Sequence, residues 1–392
     1  MNESKKDSII YLDNAATTKT DKESAELALH MMCDLYANPS SAHSLGFEAE
    51  KCINTAKQQI LQALGYKNTQ ATLVFTSGGT EADNMAILGT AKTLCRRGKK
   101  IVISDAEHPA VENTVRELEK NGFSVCRIST KNGELDLEYA KSVLSDDTIL
   151  VSCMAVNNET GAIFDISSLC TLTRKLAPNA YFHTDAVQGF TKMQKLSCIG
   201  ADLISISGHK IHAPKGVGAL LIRKGVRISP LIFGGNQQEA LRSGTEAVGA
   251  ICAFGLSAEK ATRDFEKDYE YIKDLNMYLR QKLENCSDVV INTRQEGHTP
   301  YILSLSVVGI RSEIMLRFLG ERGIFVSAGS ACSSKSSDNR VLSAYGIERS
   351  LADSTLRISF SKYNTKQELD KFVLTLNEGI RTLISLKPRK HI

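Results

Sequence analysis

An apolar run, Leu203 to Ile206, ends abruptly in Ser207-Gly-His-Lys210. No other stretch constrains this chain as much. The run is rich in β-branched residues and reads as a buried strand. Pro214 and Gly216 forbid regular structure just beyond it. A lysine is therefore held at the carboxyl end of a core strand, which is where open α/β sheets bind their ligands. A desolvated lysine there can lose its proton at neutral pH and attack a carbonyl to form a Schiff base. The alternative is a strand-end lysine that points to water, as most lysines do. The rest of the chain has to decide.

The chain has 392 residues, which suggests two domains and an ample core. Its net charge of +4 is spread along the sequence, so nothing calls for a nucleic-acid partner. The basic end, Lys387-Pro-Arg-Lys-His391, reads as a solvated tail. No segment resembles a signal peptide or approaches transmembrane length, so a cytoplasmic protein away from membranes is expected. None of the 10 cysteines forms a C-x-x-C pair, and no spacing suggests a metal site. Cys126, Cys153, Cys170 and Cys252 sit in apolar runs and read as small core residues.

Taken in order, the chain alternates strands and helices. Asp21 opens a helix, Asn38-Pro-Ser-Ser41 is a loop, and a helix over 47–64 stops at Gly65. A strand over 71–75 runs into Thr76-Ser-Gly-Gly-Thr-Glu-Ala-Asp83 and a further helix. Strand, glycine turn and helix start are the parts that cradle a phosphate. Gly78 and Gly79 let the backbone approach and Thr80 offers a hydroxyl. The alternative is a capped helix start, with Ser77 or Thr80 as the cap and no ligand. Strands follow over 100–104, 123–128, 148–154 and 179–183, and a strand over 218–222 returns from Lys210. Repeated β-α units imply an α/β fold: a mostly parallel central sheet with helices on both faces. Polar residues then collect at successive strand ends, namely Asn158, Asp185, Gln188, Ser207, His209 and Lys210, and topology places them in one pocket. One long helix is expected over 247–284, with a domain boundary inside it. The remainder reads as a smaller α+β domain. The large domain is expected over 17–261, and the small one over 1–16 with 262–392.

Several motifs now stand together in order: Tyr11-Leu-Asp-Asn-Ala-Ala-Thr-Thr18, Asn38-Pro-Ser-Ser41, Thr76-Ser-Gly-Gly-Thr-Glu81, Glu107-His108, Val156-Asn-Asn-Glu-Thr-Gly161, His183-Thr-Asp-Ala-Val-Gln188, Ser207-Gly-His-Lys210, Arg242-Ser-Gly-Thr245 and Ser330-Ala-Cys332. With them the chain resembles, over nearly its whole length, the cysteine desulfurases of the NifS/IscS-like group. These belong to the class V aminotransferases among the fold type I pyridoxal 5'-phosphate (PLP) enzymes. The Ser-Gly-His-Lys and Asp-Ala-x-Gln elements are specific for the superfamily, and the Gly-Ser-Ala-Cys loop for desulfurases.

The resemblance implies that Lys210 carries PLP and later moves the Cα proton. Asp185 would pair with the pyridine nitrogen, and His108 would stack on the ring and act as acid or base. Asn158 and Gln188 would hydrogen-bond the ring oxygen. Gly79, Thr80, Ser207 and His209 would hold the phosphate. Thr245 would reach the phosphate of a neighbouring subunit, which implies a homodimer with shared active sites. Arg357 would grip the carboxylate of L-cysteine bidentately, helped by Asn38 and Asn158. Cys332 would take the substrate sulfur as a persulfide. Its loop is rich in Ser, Gly and Ala and is expected to be mobile, and Lys335 nearby favours the thiolate. Taken alone, His108 before Pro109 reads first as a helix-start residue, and Asp185 has the alternative reading of a turn cap.

The implied sulfur acceptor is an iron–sulfur scaffold protein or a tRNA-thiolation enzyme. Some relatives with this loop carry a longer C-terminal segment that docks the scaffold, whereas this chain stops soon after its last helix. Two other readings remain at this point. A selenocysteine lyase or aminotransferase keeps the fold and changes the reaction; an adaptor with a dead site abandons it.

Overall fold

The computed structural model describes residues 9–193, 196–329 and 339–385. Its centre is a seven-stranded sheet. From one edge the order is Ala71–Thr76, Gly218–Arg223, Leu203–Ser207, Tyr181–Asp185, Thr148–Ser152, Lys100–Ser104 and Ser124–Ile128. Only Gly218–Arg223 runs against its neighbours; the other pairs are parallel. Every residue of Leu203–Ser207 and Thr148–Ser152 is buried, as expected for strands covered on both faces. The register sets Asp185 opposite Ser205, so the turns after Asp185 and Ser207 open side by side.

Helices cover the sheet. Gly79–Leu94 packs Ala82, Met85 and Ala86 against Val74, Leu203 and Leu220. Ser44–Leu64 lies along Val248–Arg263 at close range, and a Cβ at Gly255 would come within 2.6 Å of the Ala56 Cα. The two helices are thus in backbone contact there.

A second core surrounds a four-stranded antiparallel sheet, in the order Ser327–Ala328, Thr355–Ser359, Ile302–Val307, Val289–Ile291. Phe265–Leu283, Ser312–Gly320 and Lys366–Ser385 supply its helical side chains. The N-terminal segment joins this core through Ile10, Leu12 and Ala15. Ile10–Tyr11 pairs with Ile324–Phe325, and Asp13 bridges to Ser359.

The helix expected over 247–284 is two helices, Val248–Arg263 and Phe265–Leu283, broken at Asp264 (φ −94°, ψ 6°). The apolar pattern continues across the break, but its partner changes. Phe254 and Ala258 face the first core; Ile272, Leu275 and Leu279 face the second. Several short elements gave no clear periodicity in the sequence, among them Leu137–Val143 and the edge strands Val289–Ile291 and Ser327–Ala328. Cys153, Cys170 and Cys252 are buried as expected, while Cys126 is only half-buried.

Candidate active site

The strand ends open into a cleft of about 1660 Å³, counting its mouth. Gly79, Thr80, His108, Asn158, Asp185, Gln188, Ser207, His209, Lys210 and Arg357 all line it. The pocket expected from topology is therefore one place. Lys210 follows Ser207 by a single 3₁₀ turn. Its Nζ donates to the carbonyls of Ala15 (2.6 Å) and Ala16 (2.8 Å), from the N-terminal segment of the second core. Gln188 Nε2 donates to the same Ala15 carbonyl at 2.8 Å. The N-terminal segment thus forms one wall of the cleft.

Across the cleft, the helix Gly79–Leu94 begins with Gly78 as its cap residue and no side-chain cap among the described residues. Neither Ser77 nor Thr80 caps it, contrary to the alternative raised by the sequence. Instead, the Ser77 N–H donates back to Glu81 Oε2 at 2.6 Å, and Arg242 holds Glu81 Oε1 at 2.8 Å. Burial would raise the Glu81 carboxyl, but these donors outweigh it and hold it below the usual range. The first-turn N–H groups are left facing the cleft, the arrangement that suits an anion. Ser207 Oγ, also buried, has no hydrogen-bond partner among the described residues. His209 Nδ1 meets Thr17 Oγ1 at 3.1 Å. Burial, with the charge of Lys210 beside it, lowers His209 to about 4, so it stays neutral.

The floor of the cleft is unusually acidic. Asp185 is buried, and its Oδ1 accepts from the Val187 N–H at 2.9 Å. Burial raises its carboxyl, while His108 pulls the other way. Asp83, one helical turn after Gly79, is raised well above the usual range by burial and by Asp185. Its Oδ1 lies 3.6 Å from Nε2 of His183, a ring held between Ser152 (2.8 Å) and Ser205 (2.9 Å). Burial lowers that ring to about 3, so it is uncharged. Glu107, fully buried, is pushed up to about 8. His108 is both a helix cap and a cleft residue. Its Nδ1 accepts from the Ala110 N–H at 3.1 Å, which leaves Nε2 to carry the proton of the neutral ring, and burial lowers its pKa.

Arg357 is buried rather than solvent-facing. It donates to the Asn158 carbonyl at 3.0 Å and to Asp13 Oδ1 at 2.8 Å. Asn38 and Thr245 are exposed and do not line this cleft; the Asn38 side chain accepts from the Ser40 N–H at 2.9 Å. Cys332 lies outside the described residues. Sequence reasoning left Asp13, Asp83, Glu107 and Glu159 without roles. Asp83 was within reach, since the step of four residues from Gly79 puts both on one helix face.

A lysine at a strand end, buried carboxyls beside it and an uncapped helix start with an orphaned serine share one cleft, at the strand ends where open α/β folds bind ligands. The aminotransferase class-V family model matches residues 10–372, and the chain belongs to that family. Within it, the chain is 39% identical over 385 residues to the cysteine desulfurase IscS of Dictyoglomus turgidum, covering 97% of each protein. A solved NifS-like protein superposes with a TM-score of 0.89 at 34% identity, covering 96% of this chain and 100% of that one. A structure described as SspA in complex with cysteine gives 0.79 at 30% identity, over 91% and 100%. The chain is an enzyme of the cysteine desulfurase kind.

Proposed function

We propose that the cleft binds PLP at Lys210, and that the enzyme converts L-cysteine to L-alanine while Cys332 takes the sulfur as a persulfide. Membership of the class-V family and the likeness to NifS-like structures support PLP dependence. The residues present fit that group. Ser207 Oγ, orphaned beside an uncapped helix start, suits a phosphate. This is the observation that carries the reading. Gly79 leaves no side chain between helix and ligand, and Thr80 and His209 flank the same end. Asp185 would face the ring nitrogen, Asn158 and Gln188 the ring oxygen, and His108 the ring face.

When bound, PLP supplies an electron sink that acidifies the Cα–H of the amino acid. The chain's own groups do the rest. Arg357 and Asn158 orient the substrate carboxylate. Lys210 takes the Cα proton and returns it, and the Ala15 and Ala16 carbonyls stabilise its amine while it is charged. His108 holds a proton on Nε2 near the substrate sulfur. The Cys332 thiolate forms an S–S bond to that sulfur as its bond to Cβ breaks. The electron pair goes to carbon, and the former thiol proton ends on Cβ, giving L-alanine.

Exposed Thr245 and Asn38 serve the neighbouring subunit of a homodimer rather than their own cleft. The sulfur then passes to an acceptor protein, an iron–sulfur scaffold or a tRNA-thiolation enzyme, in the cytoplasm. No helix among the described residues is long and apolar enough to cross a membrane.

With L-cysteine and dithiothreitol, the purified protein is expected to release alanine and sulfide in equal amounts. Cys332→Ala keeps the cofactor absorbance and stops sulfide release. A wild type that carries the chromophore but is inert toward cysteine overturns the reading and points to amino donors and keto acids.

A further inference from the structure

The Arg357 guanidinium already holds a carboxylate of its own chain. Asp13 Oδ1 accepts from Arg357 Nη2 at 2.8 Å and from Ser327 Oγ at 2.7 Å. The two donors come from neighbouring strands, where Ser327 and Arg357 are direct partners. Arg357 also donates from Nη1 to the Asn158 carbonyl, and its side chain is only 5% exposed, against 19% for Asp13. Arg357 is thus desolvated, oriented and neutralised in place, and it lines the cleft.

A substrate carboxylate reaching this guanidinium becomes the second anion on one cation. Like charges a few ångströms apart in a desolvated site repel strongly. Asp13 therefore does two separable things: its oxygen fixes the plane of the guanidinium, and its charge opposes any incoming carboxylate. We propose that Asp13 is the resident counter-ion of Arg357 and sets how tightly the enzyme holds the carboxylate of its substrate and product. This rests on the reading of Arg357 as the carboxylate grip. The consequence is chemical. L-Alanine bears the same carboxylate as L-cysteine, so a grip left unopposed holds the product as firmly as the substrate.

Asp13→Asn separates the two effects, because the amide Oδ1 still accepts from Nη2 and Ser327 while the charge is gone. Asp13→Ala removes both. The probes are L-alanine and ethylamine, which is L-alanine without its carboxylate. Each is titrated into the PLP-loaded enzyme, and binding is read from the cofactor absorbance rather than from turnover. Asp13→Asn is expected to bind L-alanine about tenfold more tightly than the wild type, with ethylamine unchanged. Asp13→Ala is expected to bind L-alanine more weakly than Asp13→Asn, since orientation is lost as well. Unchanged or weaker L-alanine binding in Asp13→Asn overturns the proposal, as does a parallel shift for ethylamine. A wild type that binds L-alanine no better than ethylamine removes the Arg357 grip itself. A protein with no cofactor absorbance removes the proposed function first.

Discussion

Glu107 shows how much of this site is fixed by burial. Its Oε1 accepts from Ser104 and from the Met154 N–H at 2.9 Å, and its Oε2 has no partner among the described residues. Burial pushes its pKa up to about 8, so at neutral pH it is mostly protonated. A carboxyl raised in this way adds stability that is full below its unfolded pKa and is lost as pH rises through the folded value. Glu107→Gln mimics the protonated acid. It is expected to match the wild type near pH 5 and to melt higher than the wild type above pH 8, by about 2 °C or more in a thermal scan. A constant offset across that range contradicts a protonated Glu107. Sequence alone put Lys210 and Asp185 at the strand ends of one pocket, and both line the cleft, because a charged residue at the end of an apolar strand is conspicuous. Asp83 was legible only through its spacing from Gly79, and Asp13 was not legible as a site residue. Asp83 is a helical acid whose burial depends on the sheet beneath it; Asp13 is a bridge residue whose arginine partner lies 344 positions away.

Gly79 carries the same logic to the scale of an element. A Cβ there would come within 2.7 Å of Val187 Cγ2, and Val187 sits between Asp185 and Gln188. Gly79→Ala therefore pushes the helix start away from the turn that holds both residues. It is expected to keep the fold and to lose PLP affinity by about tenfold or more, measured by equilibrium binding of the cofactor. Unchanged affinity contradicts the placement of the phosphate at this helix start. The strand–glycine–helix order was legible here, because glycine and apolar periodicity are local signals. The anchor was not. Arg242 reaches Glu81 across 161 residues of sequence, and no local pattern reveals such a contact. The break at Asp264 escaped for a related reason: apolar spacing continues while the packing partner changes from one core to the other.

At the scale of the whole molecule, the site is built where the two cores meet. The N-terminal segment belongs to the second core, yet its Ala15 and Ala16 carbonyls hold Lys210 of the first. Arg357 comes from the second sheet and reaches the carbonyl of Asn158, in the loop after the interior strand Thr148–Ser152 of the first. Leu29, Met32, Tyr36 and Phe47, on either side of Asn38 in the sequence, are exposed apolar residues, which suits the proposed homodimer. The central claim is that substrate sulfur passes to Cys332, and intact-mass measurement tests it most directly. After brief exposure to L-cysteine without reductant, the PLP-loaded wild type is expected to gain the mass of one sulfur atom. Peptide mapping should place that sulfur on Cys332, dithiothreitol should remove it, and Cys332→Ala should show no gain. A wild type that releases alanine with no added sulfur on Cys332, or a Cys332→Ala variant that gains it equally, contradicts the account.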